Sequence, residues 1–214
     1  MIKKGWSLLS LSAIPILLAG CDSENLDSMQ EATSEIERIA DDTVNELNKL
    51  AETETELQKQ FNETLETDGE LSTLKDESSP VFENIEKRED ILNELKKITE
   101  DFQSQQDVLK SYEGELLDSS EIKDVNTAVD DFEANLMNYT ESYNQSLTDE
   151  REFFSDISKD EATYQDFVDG IKSLNEKRES LNEPLMTLDN TLVTIDEKLK
   201  PLQSSIETEL SEKE

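Results

Sequence analysis

The residue with the most distinctive chemistry is Cys21, the one cysteine in a chain of 214 residues. A single thiol forms no disulfide within its chain, but its sulfur can act as a nucleophile or carry a covalent modification. Two lysines lie within the first four residues, and an apolar run interrupted by three serines then extends from Trp6 to Leu18. This run is shorter than the ~20 apolar residues that a membrane-spanning helix needs. A positive start, an apolar segment and small residues in this order are typical of a cleaved export signal.

The sequence Leu18-Ala19-Gly20-Cys21 resembles the lipobox of secreted bacterial lipoproteins. The resemblance implies that residues 1–20 are a signal peptide that is removed and that the Cys21 sulfur carries a diacylglycerol. Residues 21–25 would then be a lipidated N-terminus and short tether on the extracytoplasmic face of the cell membrane. The alternative is a buried N-terminal helix with an incidental thiol. No later segment is apolar enough to span a bilayer, so the predicted membrane contact is made by the lipid anchor alone.

The remaining residue types offer little for catalysis. The chain has no histidine, which excludes histidine-based acid–base catalysis and histidine metal ligands. Its five glycines are dispersed and form no phosphate-binding loop. Acids at helical spacing, such as Asp130 and Asp131 with Glu133, are typical of solvated helix faces. We therefore predict no catalytic residue, no metal site and no cofactor beyond the lipid on Cys21, and a hydrolase that uses two carboxylates is the least supported alternative.

The net charge of the chain is strongly negative. It contains 20 Lys and Arg residues against 53 Asp and Glu residues, which gives a formal net charge of −33 at pH 7. Nucleic acids and anionic lipid headgroups are expected to repel such a chain. We therefore predict that the protein has no nucleic-acid partner.

Apolar residues recur at alternating steps of three and four through almost the whole chain after residue 25. This pattern predicts amphipathic helices with coiled-coil-like heptad seams. Breaks in the pattern place the helices at about 26–75, 80–117, 120–157 and 161–211. Representative seam residues are Leu26, Ile36, Leu50 and Phe61; Ile85, Leu92 and Phe102; Ile122, Phe132 and Leu136; and Leu174, Leu188, Ile195 and Leu199.

Capping residues support two of the helix starts. Ser79 followed by Pro80 is typical of an N-cap and a first helical position. Asp118, Ser119 and Ser120 are alternative N-caps for the third helix. Both starts therefore have local sequence support in addition to the heptad pattern.

Other parts of the pattern are weaker. The segment 156–164 is either a turn or a kink between the third and fourth helices. Gly69 lies inside the first helical pattern, and Pro184 and Pro201 lie inside the last. Each of these residues is expected to weaken or bend its helix.

Short connections make successive helices antiparallel. The predicted fold is therefore all-α, an elongated antiparallel up-and-down four-helix bundle that forms a single domain over residues 26–212. Four seams within one chain can bury one another, so we predict a monomer. In this topology the N-terminus and the C-terminus of the bundle lie at the same end, near Cys21. The turns near residues 75–79 and 158–161 point away from the membrane.

Aromatic residues are predicted to collect at the end of the bundle remote from Cys21. They are Phe61, Phe82, Phe153, Phe154, Tyr164 and Phe167. Core packing is one interpretation of this cluster. In the other, the adjacent Phe153 and Phe154 do not both face inward, and one of them is an exposed contact for a partner.

Two charged residues fall on the seams at the same predicted level. They are Arg88 on the second helix and Glu150 on the third. One interpretation is an interior ion pair beneath the aromatic end. The alternative is that both side chains extend to water.

The lipobox, the acidic histidine-free composition and the four-helix pattern together resemble the YkyA-type cell-wall-binding lipoproteins of Gram-positive bacteria. The resemblance implies a helical bundle displayed outside the cytoplasmic membrane, with no catalytic residues and with a cell-wall polymer or a wall-associated protein as partner. The compact basic spots, Lys96-Lys97 and Lys177-Arg178, have the spacing of ordinary helix-surface charges. An acidic structural spacer or adaptor, or a helper for exported proteins, is the alternative function.

Overall fold

The computed structural model describes the backbone of residues 21–212 and the side chains of residues 25–212. The predicted signal peptide and the first three lipobox residues, Leu18, Ala19 and Gly20, lie outside the described residues. Within the described part, the chain forms helices and no strand, which confirms the all-α prediction. The helices are α1 (Cys21–Thr67), α2 (Ser72–Lys75), α3 (Pro80–Lys110), α4 (Ser119–Asp156), α5 (Tyr164–Ser180) and α6 (Asn182–Ser211).

Four helical units pack as the predicted bundle. Helix α1 packs against α3 and α6, and α4 packs against the same two helices, which closes a ring. Helix α5 precedes α6 in the fourth unit of the bundle and lies mainly against α4. Successive long helices run in opposite directions, so the bundle has the up-down-up-down order.

The heptad seams form the core. One continuous cluster of buried side chains extends along all four units. Near its middle the rings of Phe102 on α3 and Phe132 on α4 lie 5.1 Å apart between centroids. The seam residues that are completely buried include Leu26, Ile36, Ile85, Leu92, Leu136, Leu188 and Ile195. Their burial confirms the predicted helix faces, because a helix rotated by one residue would turn the same side chains to water.

The first predicted helix ends earlier than residue 75. Helix α1 stops at Thr67, and α2 begins after Leu71, whose φ of 54° is left-handed. The Asp68 carboxylate stabilises this turn: it accepts hydrogen bonds from Thr73 N–H at 2.6 Å, Thr73 Oγ1 at 2.8 Å and Ser72 Oγ at 3.0 Å. Leu74 of α2 is completely buried. The chain therefore leaves the helix to place an apolar side chain over the end of the core.

This turn predicts an unusually acidic carboxyl group. The hydrogen bonds from the backbone and side chain of Thr73 lower the pKa of Asp68 from its ordinary value of 3.8 to about 2. Because the folded-state pKa is lowered, the stabilisation is present above pH 3.8 and is lost as the pH falls towards 2. Titration of the Asp68 carboxyl by NMR measures this pKa directly. We expect Thr73→Val to move it back towards 3.8, and an ordinary pKa in the unaltered protein would contradict the assignment.

Both predicted caps are present. Ser79 is the N-cap of α3, where its side chain accepts a hydrogen bond from Val81 N–H and Pro80 occupies the first helical position. Of the three alternatives at the start of α4, Asp118 is the N-cap, and its Oδ1 accepts from Ser120 N–H at 2.8 Å. This hydrogen bond lowers the pKa of Asp118. Local capping chemistry therefore predicted both helix starts correctly.

The second predicted helix is shorter than expected. Helix α3 ends at Lys110, not at residue 117. The following segment folds over Tyr112, whose hydroxyl accepts a hydrogen bond from Leu117 N–H at 3.2 Å. A Cβ atom at Gly114 would lie 2.4 Å from that hydroxyl, so glycine permits the close approach. Leu117 is buried, and its burial favours this turn over further helix.

The predicted helix 161–211 is wrong in two respects. It begins at Tyr164, because Thr163 and Asp166 form a capping box there. It is also interrupted at Leu181, where α5 ends and α6 begins. Pro184 explains the interruption, because it has no N–H to bond the carbonyl of Ser180 and its ring crowds that carbonyl. Pro201 also lies inside α6, which nevertheless continues through it.

Candidate functional site

The predicted anchor lies at the start of α1. The helix begins at Cys21, so residues 22–25, which were expected to form a tether, are helical. The predicted tether is therefore corrected: these residues are the first turn of α1. Within residues 21–212, none of the helices combines the length and the apolar character that crossing a membrane requires. The side chain of Cys21 is outside the described part, and its lipidation stays a prediction.

The turns expected to lie far from Cys21 meet at one end of the bundle. Lys75 Nζ lies 3.2 Å from Asp160 Oδ1, and Arg151 Nη1 lies 3.0 Å from Glu77 Oε2. We call this end, formed by residues 68–79 and 157–163, the distal end. Helix α1 has 47 residues, which corresponds to about 70 Å at a rise of ~1.5 Å per residue. The distal end is therefore separated from Cys21 by the whole length of α1.

The six aromatic residues form one connected cluster at the distal end, as predicted. Phe154 lies 5.2 Å from Phe61 and 6.3 Å from Phe82 between ring centroids. Phe167 on α5 lies 6.1 Å from Phe153 and 6.3 Å from Phe61. These contacts join α1, α3, α4 and α5. The cluster is thus the core of the distal end.

Of the two interpretations of the adjacent pair, the one in which Phe153 or Phe154 is exposed is wrong. Their side chains are only 8% and 3% exposed. Consecutive residues on a helix point about 100° apart, but α4 has neighbours on more than one side. Phe154 packs towards Phe61 and Phe82, and Phe153 packs under α5, so both rings are covered. Neither ring is available to a partner in this structure.

Tyr164 is the exposed aromatic residue of the cluster. It is the first residue of α5 and is 81% exposed. Its ring stacks on Phe167, with centroids 6.5 Å apart and planes inclined by 30°. One face of a flat amphipathic ring is thus supported while most of the side chain meets solvent. Aromatic side chains of this kind are common in binding surfaces.

A groove of about 530 Å³ opens between α4 and α5 at the distal end. We call it the α4–α5 groove. Its apolar lining comes from Phe153, Ile157, Ala162, Gly170 and Leu174. Sequence reasoning missed this groove, because it depends on how α5 lies against α4. Helix α5 has no buried residue, which distinguishes it from the other long helices of the described chain.

Charged side chains line the same groove. The carboxylates are Asp149, Glu152, Asp156, Glu161, Asp166 and Asp169. Lys177 forms an ion pair with Asp149, and Lys159 forms one with Asp156. Within residues 25–212, no three acidic side chains are arranged to hold a metal ion. The groove is therefore an acidic, partly apolar surface.

Gly170 permits the close contact between the two helices of the groove. A Cβ atom there would lie 2.3 Å from Cδ2 of Phe153. We expect Gly170→Ala to lower the free energy of unfolding by about 1–3 kcal/mol through overpacking. An ordinary helical Gly→Ala change would instead raise it by up to about 1 kcal/mol. Urea unfolding measures the change, and limited proteolysis within α5 shows whether that helix loosens.

Gly69→Ala is the matched control for this prediction. Nothing lies within 4 Å of a Cβ atom at Gly69. We expect this variant to unfold at nearly the same urea concentration as the unaltered protein. Equal behaviour of the two alanine variants would show that Phe153 does not limit the approach of α5.

A buried polar network lies beneath the aromatic cluster. Arg88 is completely buried, and its Nη1 lies 3.2 Å from Oε1 of Glu150, while Nη2 bonds the other carboxylate oxygen. Arg88 Nη1 also lies 3.5 Å from the Tyr143 hydroxyl, which donates to Glu54 Oε2 at 2.9 Å. Glu54 in turn bonds Arg178 at the end of α5. The network confirms the predicted ion pair and connects α5 to the three other units.

Burial and the neighbouring charges have opposing effects on the pKa values of Arg88 and Tyr143. Burial alone would lower the pKa of Arg88, but the hydrogen bond and charge of Glu150 outweigh it and raise the pKa. Burial raises the pKa of Tyr143, although the nearby charge of Arg88 opposes this. Arg88 is therefore charged and Tyr143 is neutral at physiological pH. None of these groups is among the residues that line the α4–α5 groove.

The acids considered for catalysis lie elsewhere, on the middle of α4. Burial raises the pKa of Glu133, which accepts a hydrogen bond from Gln103 at 3.4 Å. Asp130 Oδ1 accepts from Gln106 Nε2 at 2.8 Å. Amide groups of α3 thus contact both carboxylates. This arrangement links the two helices.

Comparisons with known proteins agree with the fold and identify a family. The bundle is similar to the 1.6 Å crystal structure of a conserved protein of unknown function from Staphylococcus aureus. The TM-score is 0.57 at 16% sequence identity, over 84% of this chain and 88% of that chain, which shows a shared fold. No curated protein sequence matches the chain. Residues 24–205 match the YkyA family model, described as "Putative cell-wall binding lipoprotein". Because this match runs from the start of α1 almost to the end of α6, the chain belongs to the YkyA family.

Proposed function

We propose that this protein is a lipid-anchored, non-catalytic lipoprotein of the extracytoplasmic membrane surface that contacts the cell wall, or a wall-associated partner, through its distal end. Membership of the YkyA family supports the lipoprotein character and the link to the wall. The observation that carries the proposal is the position of Tyr164 and the α4–α5 groove. Tyr164 lies next to the distal end, about 70 Å from Cys21 at ~1.5 Å per residue, and the groove extends from there along α4 and α5.

The anchor follows from the residues around Cys21. A diacylglycerol on its sulfur would supply two acyl chains, and stable membrane attachment generally takes two such signals. We expect Cys21→Ser to release the protein from the membrane fraction. Cell fractionation measures the release, and mass spectrometry of the unaltered protein detects the lipid on Cys21. Retention of the Cys21→Ser variant in membranes would contradict lipid anchoring.

The negative net charge of the chain limits the ways in which the distal end can bind the cell wall. A chain with net charge −33 is repelled by polyanionic wall polymers, so direct contact with them needs bridging divalent cations or an uncharged contact. Tyr164 offers an uncharged contact, because its exposed ring is supported by Phe167. The same charge favours a second candidate function, an acidic spacer whose length matters and whose distal surface has no ligand.

A sedimentation assay with purified cell-wall sacculi tests the proposal. The full-length protein in nonionic detergent is mixed with sacculi that retain or lack teichoic acids, with and without divalent cations. We expect saturable binding that weakens by about tenfold in Tyr164→Ala, as for an aromatic hot spot. Met137→Ala is the control, because Met137 is an exposed apolar residue of α4 outside the distal end.

The outcomes separate the two candidate functions. Loss of binding in Tyr164→Ala alone supports contact through the distal end. Binding that depends only on divalent cations and ignores Tyr164 indicates bridging between carboxylates and wall phosphates. Absence of binding under every condition would reject wall contact and favour the spacer.

A further inference from the structure

The α4–α5 groove combines two properties that together restrict its ligand. Its floor is apolar and includes Ile157, Ala162 and Leu174, beside the covered Phe153 ring that packs against Gly170. Its rim is acidic, with carboxylates contributed by α4, by the connection and by α5. Its volume of about 530 Å³ is within the range of ligand-binding clefts. The groove can therefore accept a few side chains of a partner.

The rim carries uncompensated negative charge. Asp149 and Asp156 are neutralised by lysines across or along the groove. Glu152 and Glu161 have no ion-pair partner among the residues that the structure describes, and both are exposed. A concave surface of low polarity strengthens the field of such charges relative to a flat surface. The groove therefore attracts positive charge more specifically than the acidic helix faces do.

The chemistry of the groove distinguishes between classes of partner. A metal ion alone would leave the apolar floor unused, and the described acidic groups are not arranged to coordinate one. A polyanionic wall polymer would meet repulsion at the rim. A peptide segment with lysine or arginine beside an apolar residue matches both the rim and the floor.

We infer that the α4–α5 groove binds a cationic, amphipathic peptide segment of a wall-associated or exported protein. This inference rests on the proposed function, because it names the partner class for the same distal end. The partner's apolar side chain lies against Ile157 and Leu174, which are partly exposed in the groove, and its ammonium or guanidinium groups lie near Glu152 and Glu161. Opposite charges at the rim accelerate association, and the apolar floor retains the bound segment.

A fluorescence anisotropy titration tests this inference with the full-length protein in nonionic detergent. The probe is a labelled short peptide of alternating lysine and leucine, with detergent micelles alone as background. Two control peptides replace lysine by glutamate or leucine by serine. We expect the lysine–leucine peptide to bind in a saturable and salt-sensitive manner, and each control peptide to bind at least about tenfold more weakly.

Matched variants localise the binding. Glu152→Lys/Glu161→Lys reverses the rim charges, and Glu52→Lys/Glu56→Lys makes the same change in net charge on exposed positions of α1. Ser173→Trp fills the groove without changing its charge. We expect an affinity loss of about tenfold or more in the rim variant and in Ser173→Trp, and a much smaller loss in the α1 variant. Circular dichroism verifies that every variant is folded.

Each outcome decides either the inference or the proposed function. Equal losses in the two charge variants would show general attraction to an acidic chain and overturn the inference. Binding of purified teichoic acid that Ser173→Trp abolishes would also overturn it, because the occupant would then be a wall polymer. Sacculus binding without peptide binding leaves the proposed function intact and rejects the peptide ligand. Peptide binding without sacculus binding supports the groove and rejects direct wall contact.

Discussion

Replacing Glu150 by alanine is expected to lower the free energy of unfolding by about 3–5 kcal/mol, the largest single effect that we predict for a charged residue. Arg88 is completely buried, and the structure gives it Glu150 as its one carboxylate partner within the described chain. Without Glu150, the guanidinium group would lie unpaired in the core, next to the neutral Tyr143 hydroxyl. Urea unfolding followed by circular dichroism measures the loss.

The double variant Arg88→Met/Glu150→Leu tests whether the ion pair stabilises the folded protein or whether its two charges only compensate for each other's burial. Removing both charges eliminates the desolvation penalty together with the attraction, so we expect stability close to that of the unaltered protein or above it. The Tyr143 hydroxyl still donates to Glu54 in this variant, so its own hydrogen bond is preserved. A double variant as unstable as Glu150→Ala would show that the pair contributes favourably beyond mutual compensation.

Phe154→Ala is expected to destabilise the protein by about 3–5 kcal/mol, as is typical when a large buried aromatic side chain is removed. Phe154 contacts rings on α1 and α3 and its own neighbour Phe153, so a cavity there affects three helices. Phe153→Ala is expected to cost less, because α5 has no buried residue and can move towards the space. Thermal and urea unfolding of both variants measures the difference.

Tyr164→Ala is the surface control for the aromatic cluster. Because the side chain is 81% exposed, we expect its removal to change the free energy of unfolding by less than about 0.5 kcal/mol. A large loss of stability in Tyr164→Ala would show that stacking on Phe167 holds α5 in place. It would also mean that loss of sacculus binding in this variant does not identify a binding residue.

These effects determine how the distal end can be studied. Substitutions of Phe153 or Phe154 would change both the core and any surface above it, so their effect on binding would be ambiguous. Three exposed residues lie outside the buried cluster: Tyr164, next to the distal end, and Glu152 and Ser173, which line the α4–α5 groove. Variants at these exposed positions therefore test binding separately from folding.

Much of the bundle was predictable from local patterns. Heptad spacing identified the buried faces, because a helix repeats every 3.6 residues and the apolar stripe must face its neighbours. Ser79 with Pro80 and the acidic cap Asp118 marked helix starts, because capping depends on the residues next to it. The Arg88–Glu150 pair was predictable because both residues lie on seams and at one level counted from the connecting turn.

Other features depended on contacts between distant parts of the chain. The early end of α3 depends on Leu117 being buried, and the turn before α2 places Leu74 over the core. The burial of both Phe153 and Phe154 depends on α5 covering one side of α4 while α1 and α3 cover the other. A helical period alone assigns one buried face, so it could not predict a helix with neighbours on several sides.

The sequence by itself determined the all-α class of this protein, the buried faces of its helices and the family that it resembles, and it placed Arg88 and Glu150 at one level on the seams. These properties follow from the spacing and type of neighbouring residues. Only the tertiary structure decided that Tyr164 is the exposed ring of the aromatic cluster and that an acidic groove opens beside Gly170. The position of α5 creates both features. That position results from Pro184, the Thr163–Asp166 capping box and contacts with three other helices, which no local pattern combines.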